Sequence, residues 1–181
     1  MEKTASDKPL CGIDEAGRGP LAGPVTAGCV ILPLGFPSEM AQDSKKMSPR
    51  DRLEAAQYII DHAVAWGLGW ANVAEIERWN ILQAALLAMR RAYHAMLQHR
   101  GGIAPALVFV DGNKAPELPV PAETVIGGDA LVPAIGAASI LAKTARDRWM
   151  ERWSWIEPQY GFENHKGYGT KAHVEHLLKF G

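Results

Sequence analysis

The chain has few cysteines, almost no net charge and no long apolar run. Its two cysteines, Cys11 and Cys29, are too few for a disulfide framework and have no metal-site spacing, so they read as reduced thiols in a core. No stretch of about 18 apolar residues is present to span a membrane. The opening residues Glu2, Lys3, Thr4, Ser6 and Asp7 supply no apolar core of a signal peptide. These absences suggest a cytoplasmic protein. With 19 Lys and Arg against 20 Asp and Glu, the formal charge is −1, so any binding of nucleic acid must come from a local basic patch. No Gly-x-Ser-x-Gly or Cys/His dyad signature appears. Repeats, low-complexity tracts and interdomain linkers are also missing. At 181 residues, 48% hydrophobic and 22% charged, the chain is expected to form one globular domain over 1–181, with residues 1–9 flexible.

Against this plain background, residues 13 to 20 stand out: Ile13-Asp14-Glu15-Ala16-Gly17-Arg18-Gly19-Pro20. Adjacent carboxylates repel each other, and folds tolerate such a pair at a strand end chiefly where a cation neutralises it. Mg²⁺ and Mn²⁺ prefer such hard oxygen ligands. The glycines let the backbone approach a ligand closely, and the arginine offers a planar fork suited to phosphate. Together they suggest phosphodiester chemistry, with an acidic turn closed by flexible glycines as the plain alternative. No Gly-Lys-Ser/Thr follows, which excludes a phosphate loop of the nucleotide-triphosphatase kind.

The hydrophobic pattern alternates short strands with helices. Strands are expected at Leu10 to Ile13, Val25 to Leu32, Trp66 to Val73, Ala106 to Val110 and Thr124 to Ile126. Pro33 to Met47 reads as a loop. Ser48 caps a helix with Pro49 at its first position, Asn80 caps one from Ile81 to about His99 closed by Gly101-Gly102, and Pro133 to about Glu157 is a long helix. Thr170 caps the last helix. The fold class is therefore α/β.

Asp14 and Asp111 each follow an apolar strand and head a Gly-containing turn, and Asp129 follows a third. If the first two strands are parallel neighbours, their carboxylates emerge at one carboxyl edge, where open α/β sheets place ligands. Four acids, Asp14, Glu15, Asp111 and Asp129, would then meet in one crevice and raise each other's pKa values. Two divalent ions roughly 3.5–4 Å apart are the usual relief in phosphodiester hydrolysis. Asp-Gly and Gly-Asp also simply start turns, which is the plain reading of each acid alone. Lys45, Lys46, Lys143, Arg146, Lys166 and Lys171 offer phosphate contacts, and Lys143 with Asp147, at i and i+4, suits a surface ion pair. Tyr168, between Gly167 and Gly169, reads either as a stacking platform or as a loop anchor. His173 and His176, with His165 upstream, permit a zinc site but have no cysteine beside them. The tryptophans at 149, 153 and 155 read as packing.

These residues resemble the type 2 ribonuclease H (ribonuclease HII) family over about residues 10 to 181. Asp14-Glu15-Ala16-Gly17-Arg18-Gly19-Pro20-Leu21-Ala22-Gly23-Pro24-Val25 looks like its opening motif. Asp43-Ser44-Lys45-Lys46, Asn80-Ile81-Leu82, Asp111-Gly112-Asn113, Gly128-Asp129, Ala137-Ala138-Ser139-Ile140-Leu141-Ala142-Lys143 and His165-Lys166-Gly167-Tyr168-Gly169-Thr170 look like later blocks, in order. The resemblance implies a ribonuclease H-like fold, a five-stranded mixed sheet flanked by helices. It implies a Mg²⁺- or Mn²⁺-dependent endonuclease that hydrolyses RNA in RNA–DNA hybrids and cuts 5′ of single ribonucleotides in duplex DNA. Asp14, Glu15, Asp111 and Asp129 would bind the metals, and Gly17, Arg18 and Gly19 would sense the ribose 2′-OH, the one group that marks a ribonucleotide within DNA. Tyr168 would stack on the next sugar. Further substrate contacts are implied at Ser44, Lys45, Lys46, Asn80, Asn113 and Lys143. Type 3 relatives carry an extra N-terminal domain, and about nine residues precede the first strand here, so type 2 fits better. Family members usually continue past the last helix with a segment containing His-Arg and Ser-Phe, whereas this chain stops at Gly181. Substrate affinity, stability and docking to a replication clamp are what such a segment would affect. A monomer suffices. Two other readings, a catalytically silent nucleic-acid-binding module and a DNA-only nuclease of the same fold, fit the four acids and the Gly-Arg-Gly loop less well.

Overall fold

The structure is a computed structural model that describes residues 10–42, 44–99 and 104–181. Asp43, the Gly101-Gly102 helix stop and the flexibility expected for residues 1–9 lie outside the described residues. Five strands form one mixed sheet: β1 (Leu10–Ala16), β2 (Val25–Ile31), β3 (Ala65–Ala71), β4 (Leu107–Asp111) and β5 (Ala122–Val125), in the order β3-β2-β1-β4-β5. The β1–β2 and β2–β3 pairs are antiparallel, whereas β1–β4 and β4–β5 are parallel. Helices α1 (Pro49–His62), α2 (Val73–Gln98), α3 (Gly128–Leu131), α4 (Pro133–Ser154), α5 (Phe162–His165) and α6 (Lys171–Phe180) complete the fold.

Small residues let the long helices come close to the sheet. A Cβ on Gly28 would sit 2.3 Å from the carbonyl oxygen of Ala138, and one on Gly69 would sit 2.1 Å from that of Ala88. The strand glycines therefore admit the backbones of α4 and α2, one on each face. Alternation along β1 turns Cys11 and Ile13 into the core beneath α2, and Gly12 and Asp14 toward α4. Each fully buried Val or Ile in that core contributes about 1.5–3 kcal/mol. Cys11 and Cys29 lie there as buried, unlinked thiols, as expected.

Several expected boundaries shift. The first strand runs on to Ala16, so Asp14 and Glu15 stand inside β1, paired with Gly28 and Ala27, rather than past its end. Antiparallel pairing with β2 carries the strand through both acids, which their charge did not disclose, while the Glu15 N–H donates to the Asp14 carboxylate. The expected loop at 33–47 contains a 3-10 turn at Ser38–Ala41. Helix α2 begins at Val73, capped by Asn72 in a box with Glu75. It breaks at Asn80, whose φ of 67° interrupts the helix and whose Oδ1 accepts from the N–H groups of Leu82 and Gln83. The expected Asn80 cap is therefore real, but a further helical segment precedes it. The packing expected of the tryptophans holds for Trp149 and Trp153, which stack on each other, but not for Trp155, which is 82% exposed.

Candidate active site

Sheet topology builds the crevice. The β1–β4 register pairs Ile13 with Val110, so Asp14 and Asp111 stand abreast one residue further on, both on the α4 side of the sheet. Asp14 is almost fully buried and its carboxylate accepts from the Glu15 N–H at 2.7 Å. Burial, then the charges of Glu15 and Asp111, hold its pKa well above the ordinary value, against a lowering hydrogen bond from Ser139. Glu15 is raised as well, mainly by burial, although Arg18 contacts it at 3.1 Å and pulls the other way. Asp111 Oδ1 accepts from the Gly128 N–H at 2.7 Å, which places the neighbouring Asp129 at the same edge. Asp129 is buried and meets Lys45 Nζ at 3.1 Å.

Each of the four acids thus has its own donor: a backbone N–H, an arginine, a second backbone N–H and a lysine. Among the described residues, no three Asp, Glu, His or Cys side chains are gathered into a ready coordination sphere. Mutual repulsion accounts for the separate partners, and the donor chemistry suits a hard dication, which would relieve the raised pKa values of Asp14 and Glu15.

Beside the acids lies the Gly-Arg-Gly loop. Gly17 has a φ of +109°, and a Cβ there would fall 2.5 Å from Arg146 Nε and 2.5 Å from the Pro24 carbonyl oxygen, so only glycine fits. A Cβ on Gly19 would lie 3.8 Å from Cε1 of Tyr168, which brings the two elements into contact range. Tyr168 is 41% exposed, with Lys143 Nζ 5.4 Å from its ring centroid. It is accessible for stacking and is not a buried anchor.

Other expected residues divide. Lys46 lines a groove of about 330 Å³ together with Asp129 and Leu131. Ser44 turns inward, its hydroxyl 2.9 Å from that of Ser139. Asn113 is exposed in the turn after β4. Asn80 is exposed too, but its side-chain oxygen is engaged at the helix break. The Lys143–Asp147 pair forms at 2.7 Å, yet it is shielded rather than on the surface, because Arg52 of α1 closes over Asp147. Among the described residues the histidines form no zinc site: His165 and His173 stack 4.3 Å apart, and both His165 nitrogens, His173 Nδ1 and His176 Nδ1 face backbone groups of Tyr160, Gly167 and Tyr168. One contributor escaped the sequence reading as a site residue and one was read wrongly. Ser139 links Asp14 to Ser44, and Arg146, expected to offer a phosphate contact, instead lies wholly buried beneath the Gly-Arg-Gly loop with its guanidinium on backbone carbonyls. Ser139 sits inside a block quoted only as a fingerprint, and a buried arginine has no local signature.

No helix among the described residues is long and apolar enough to cross a membrane. Comparison with known proteins agrees with the geometry. The family model described as ribonuclease HII matches residues 11–181. A ribonuclease HII of Nitrosomonas europaea is 51% identical over 180 residues, covering 99% of this chain and 81% of that protein. The solved ribonuclease H2 of Pyrococcus horikoshii superposes with a TM-score of 0.76 at 22% identity, over 94% of this chain and 85% of that one. Bst-RNase HIII, solved in complex with Mn²⁺, gives 0.73 at 14% identity over 97% and 72%. Both likenesses show a common fold with this chain. With half its residues identical to those of a ribonuclease HII and the family model matched across the sheet and the crevice, this chain belongs to the ribonuclease HII family of endoribonucleases.

Proposed function

We propose that the protein hydrolyses the RNA strand of RNA–DNA hybrids and cuts 5′ of single ribonucleotides within duplex DNA, leaving 3′-OH and 5′-phosphate ends. The observation that carries this is a juxtaposition. The carboxylates of Asp14, Glu15 and Asp111 act on one another at the sheet edge that Asp129 borders, beside a glycine loop whose Gly19 lies next to the ring of Tyr168. Asp14, Glu15, Asp111 and Asp129 would hold Mg²⁺ or Mn²⁺. Bound there, two such ions would supply an activated water and stabilise the leaving 3′ oxygen. The Bst-RNase HIII solved with Mn²⁺ supports a divalent ion in this fold.

The chain's own groups orient the substrate. Gly17 and Gly19 let backbone N–H groups approach the ribose 2′-OH, and Arg18, already held by Glu15, reaches the flanking phosphate. Tyr168 stacks on the sugar that follows and so favours an RNA-to-DNA junction. Lys45, Lys46 and Lys143 set the register through backbone phosphates, which carry no sequence information. Ser44 acts from behind, through Ser139. Asn113 contacts the strand near Asp111. Asn80 holds a conformation open almost only to glycine (φ 67°, ψ 165°), a strain of about 1–3 kcal/mol of the kind that persists at functional sites, and it makes a further contact.

The test is cleavage of an end-labelled DNA duplex carrying one ribonucleotide, in Mg²⁺, Mn²⁺ or EDTA. An all-DNA duplex and the Asp111→Asn protein are the controls. A single metal-dependent cut 5′ of the ribonucleotide, absent from both controls, is expected. Binding without cleavage would favour the silent module, and cutting of the all-DNA duplex would favour the DNA nuclease.

A further inference from the structure

Among the described residues Arg146 is the largest fully buried side chain, only 1% exposed, and its guanidinium makes no ion pair there. A buried charge is costly unless fully hydrogen-bonded. All three of its nitrogens are used on backbone carbonyls. Nε donates to Pro24, Nη2 to Ala22 and Nη1 to Lys166, each at 2.9 Å. Two acceptors belong to the segment that continues the Gly-Arg-Gly loop, and the third lies two residues before Tyr168. The backbones touch directly as well, since the N–H groups of Leu21 and Ala22 both point at the Gly167 carbonyl, at 2.9 and 3.4 Å. Helix α4 does not need this fork to stay in place, because its own face of Ala134, Ile135, Ala137 and Ala138 is buried against the fold. The arginine spends its desolvation cost entirely on two loops.

We propose that Arg146 is a positioning residue that yokes the Gly17-Arg18-Gly19 loop to the Tyr168 loop, and so sets the spacing at which a ribose and the deoxyribose after it are read together. This rests on the substrate reading given above for those two loops. The planar fork matters because three donors in one plane hold carbonyls from both sides at once. A lysine offers a compact ammonium that reaches one side or the other. The consequence falls on specificity. A lone ribonucleotide needs the 2′-OH contact and the stack on the next sugar simultaneously. A continuous hybrid presents a 2′-OH at every step and depends less on the exact spacing.

The experiment measures kcat/KM for Arg146→Lys, Tyr168→Ala and the double variant, on a duplex with one ribonucleotide and on an RNA–DNA hybrid. Circular dichroism and thermal melting report folding. Arg146→Lys is expected to lose about tenfold or more on the lone ribonucleotide and no more than about threefold on the hybrid. In the Tyr168→Ala background its further loss on the lone ribonucleotide should shrink to the hybrid level, because the two changes then remove one shared function. Equal losses on both substrates, or full additivity with Tyr168→Ala, would make Arg146 a purely structural residue and overturn the proposal. Equal losses from Tyr168→Ala alone would remove the stacking role itself, and the yoke with it. Should Arg146→Lys not fold, Gly167→Ala tests the same coupling with the arginine in place, since its Cβ would press within 2.4 Å of the Ala22 carbonyl oxygen and part the loops. The same selective loss is expected there, and an even loss would refute the yoke.

Discussion

Replacing Asp111 with asparagine tests the acidic crevice without relying on catalysis. Neighbouring strands lie about 4.8 Å apart, so Asp14 and Asp111, one step beyond the Ile13–Val110 pair, carry carboxylates on the order of 5 Å from each other. Two full charges at that spacing repel by about 3 kcal/mol at an effective dielectric of about 20. Asp14 responds by holding protons more tightly, mainly through burial and then through Glu15 and Asp111. A carboxyl whose folded pKa is raised binds more protons in the native than in the unfolded protein. The cation-free site is therefore least costly below the ordinary carboxylate pKa of about 4, and it costs stability as pH climbs from there through the raised value. Asparagine keeps an acceptor for the Gly128 N–H and deletes the charge. In EDTA at mildly alkaline pH, Asp111→Asn should be about 1–3 kcal/mol more stable than wild type, and its melting temperature higher by about 2–4 °C for each kcal/mol. Mg²⁺ or Mn²⁺ at about a hundred times its Kd should stabilise wild type by about 2.7 kcal/mol, or about 5–10 °C, and the variant far less. Differential scanning calorimetry with a cation titration reads both effects. A variant less stable than wild type in EDTA, or one with an undiminished cation shift, would show that these acids do not repel across a shared cation site.

Gly17→Ala should cost about 1–3 kcal/mol of stability, because it places a side chain at a φ of +109° against Arg146 and the Pro24 carbonyl, and cleavage should fall by more than the melting shift explains. Unchanged melting and turnover would mean that the loop relaxes freely. Ser139→Ala removes the hydrogen bond that lowers the Asp14 pKa, so the acidic limb of the pH–rate profile should move to higher pH, and an unmoved limb would detach Ser139 from the site. His165 is held below its usual pKa mainly by burial, and its Nδ1 accepts from the Gly167 N–H. With a depressed folded pKa, its contribution is complete above the ordinary value of about 6.5 and lost as pH falls. KM for a lone ribonucleotide should accordingly rise as pH falls below about 6.5, and His165→Gln should flatten that rise. An identical profile in the variant would assign the pH effect elsewhere.

The parts of this protein written locally were legible in the chain. Ser48-Pro49 and Thr170 cap helices because a side-chain oxygen answers the free N–H groups of the next turn, whatever surrounds them. The acids, the Gly-Arg-Gly loop and the motif blocks could be read from residue type and order, and the sheet followed from the resemblance that they carry. The helical segment before Asn80 was legible too, in the Asn72–Glu75 box, and was missed because the stronger Asn80 signal lay eight residues on.

What the linear order could not contain is register and burial, which depend on residues far apart in the chain. That Asp14 and Asp111 stand abreast follows from one parallel pairing across roughly a hundred residues, and a shift of one position would turn an acid to the other face. The extension of β1 through two carboxylates was settled by its antiparallel partner. Arg146 looked like one more basic group on a helix until the close packing of α4 on a glycine-bearing sheet buried it beneath two loops. The sequence by itself determined which groups are available for phosphodiester chemistry and how each is held within its own turn or cap. Only the tertiary structure decided which of them act together, because electrostatic coupling, steric exclusion at Gly17 and the three-carbonyl fork exist only once distant segments are packed within a few ångströms.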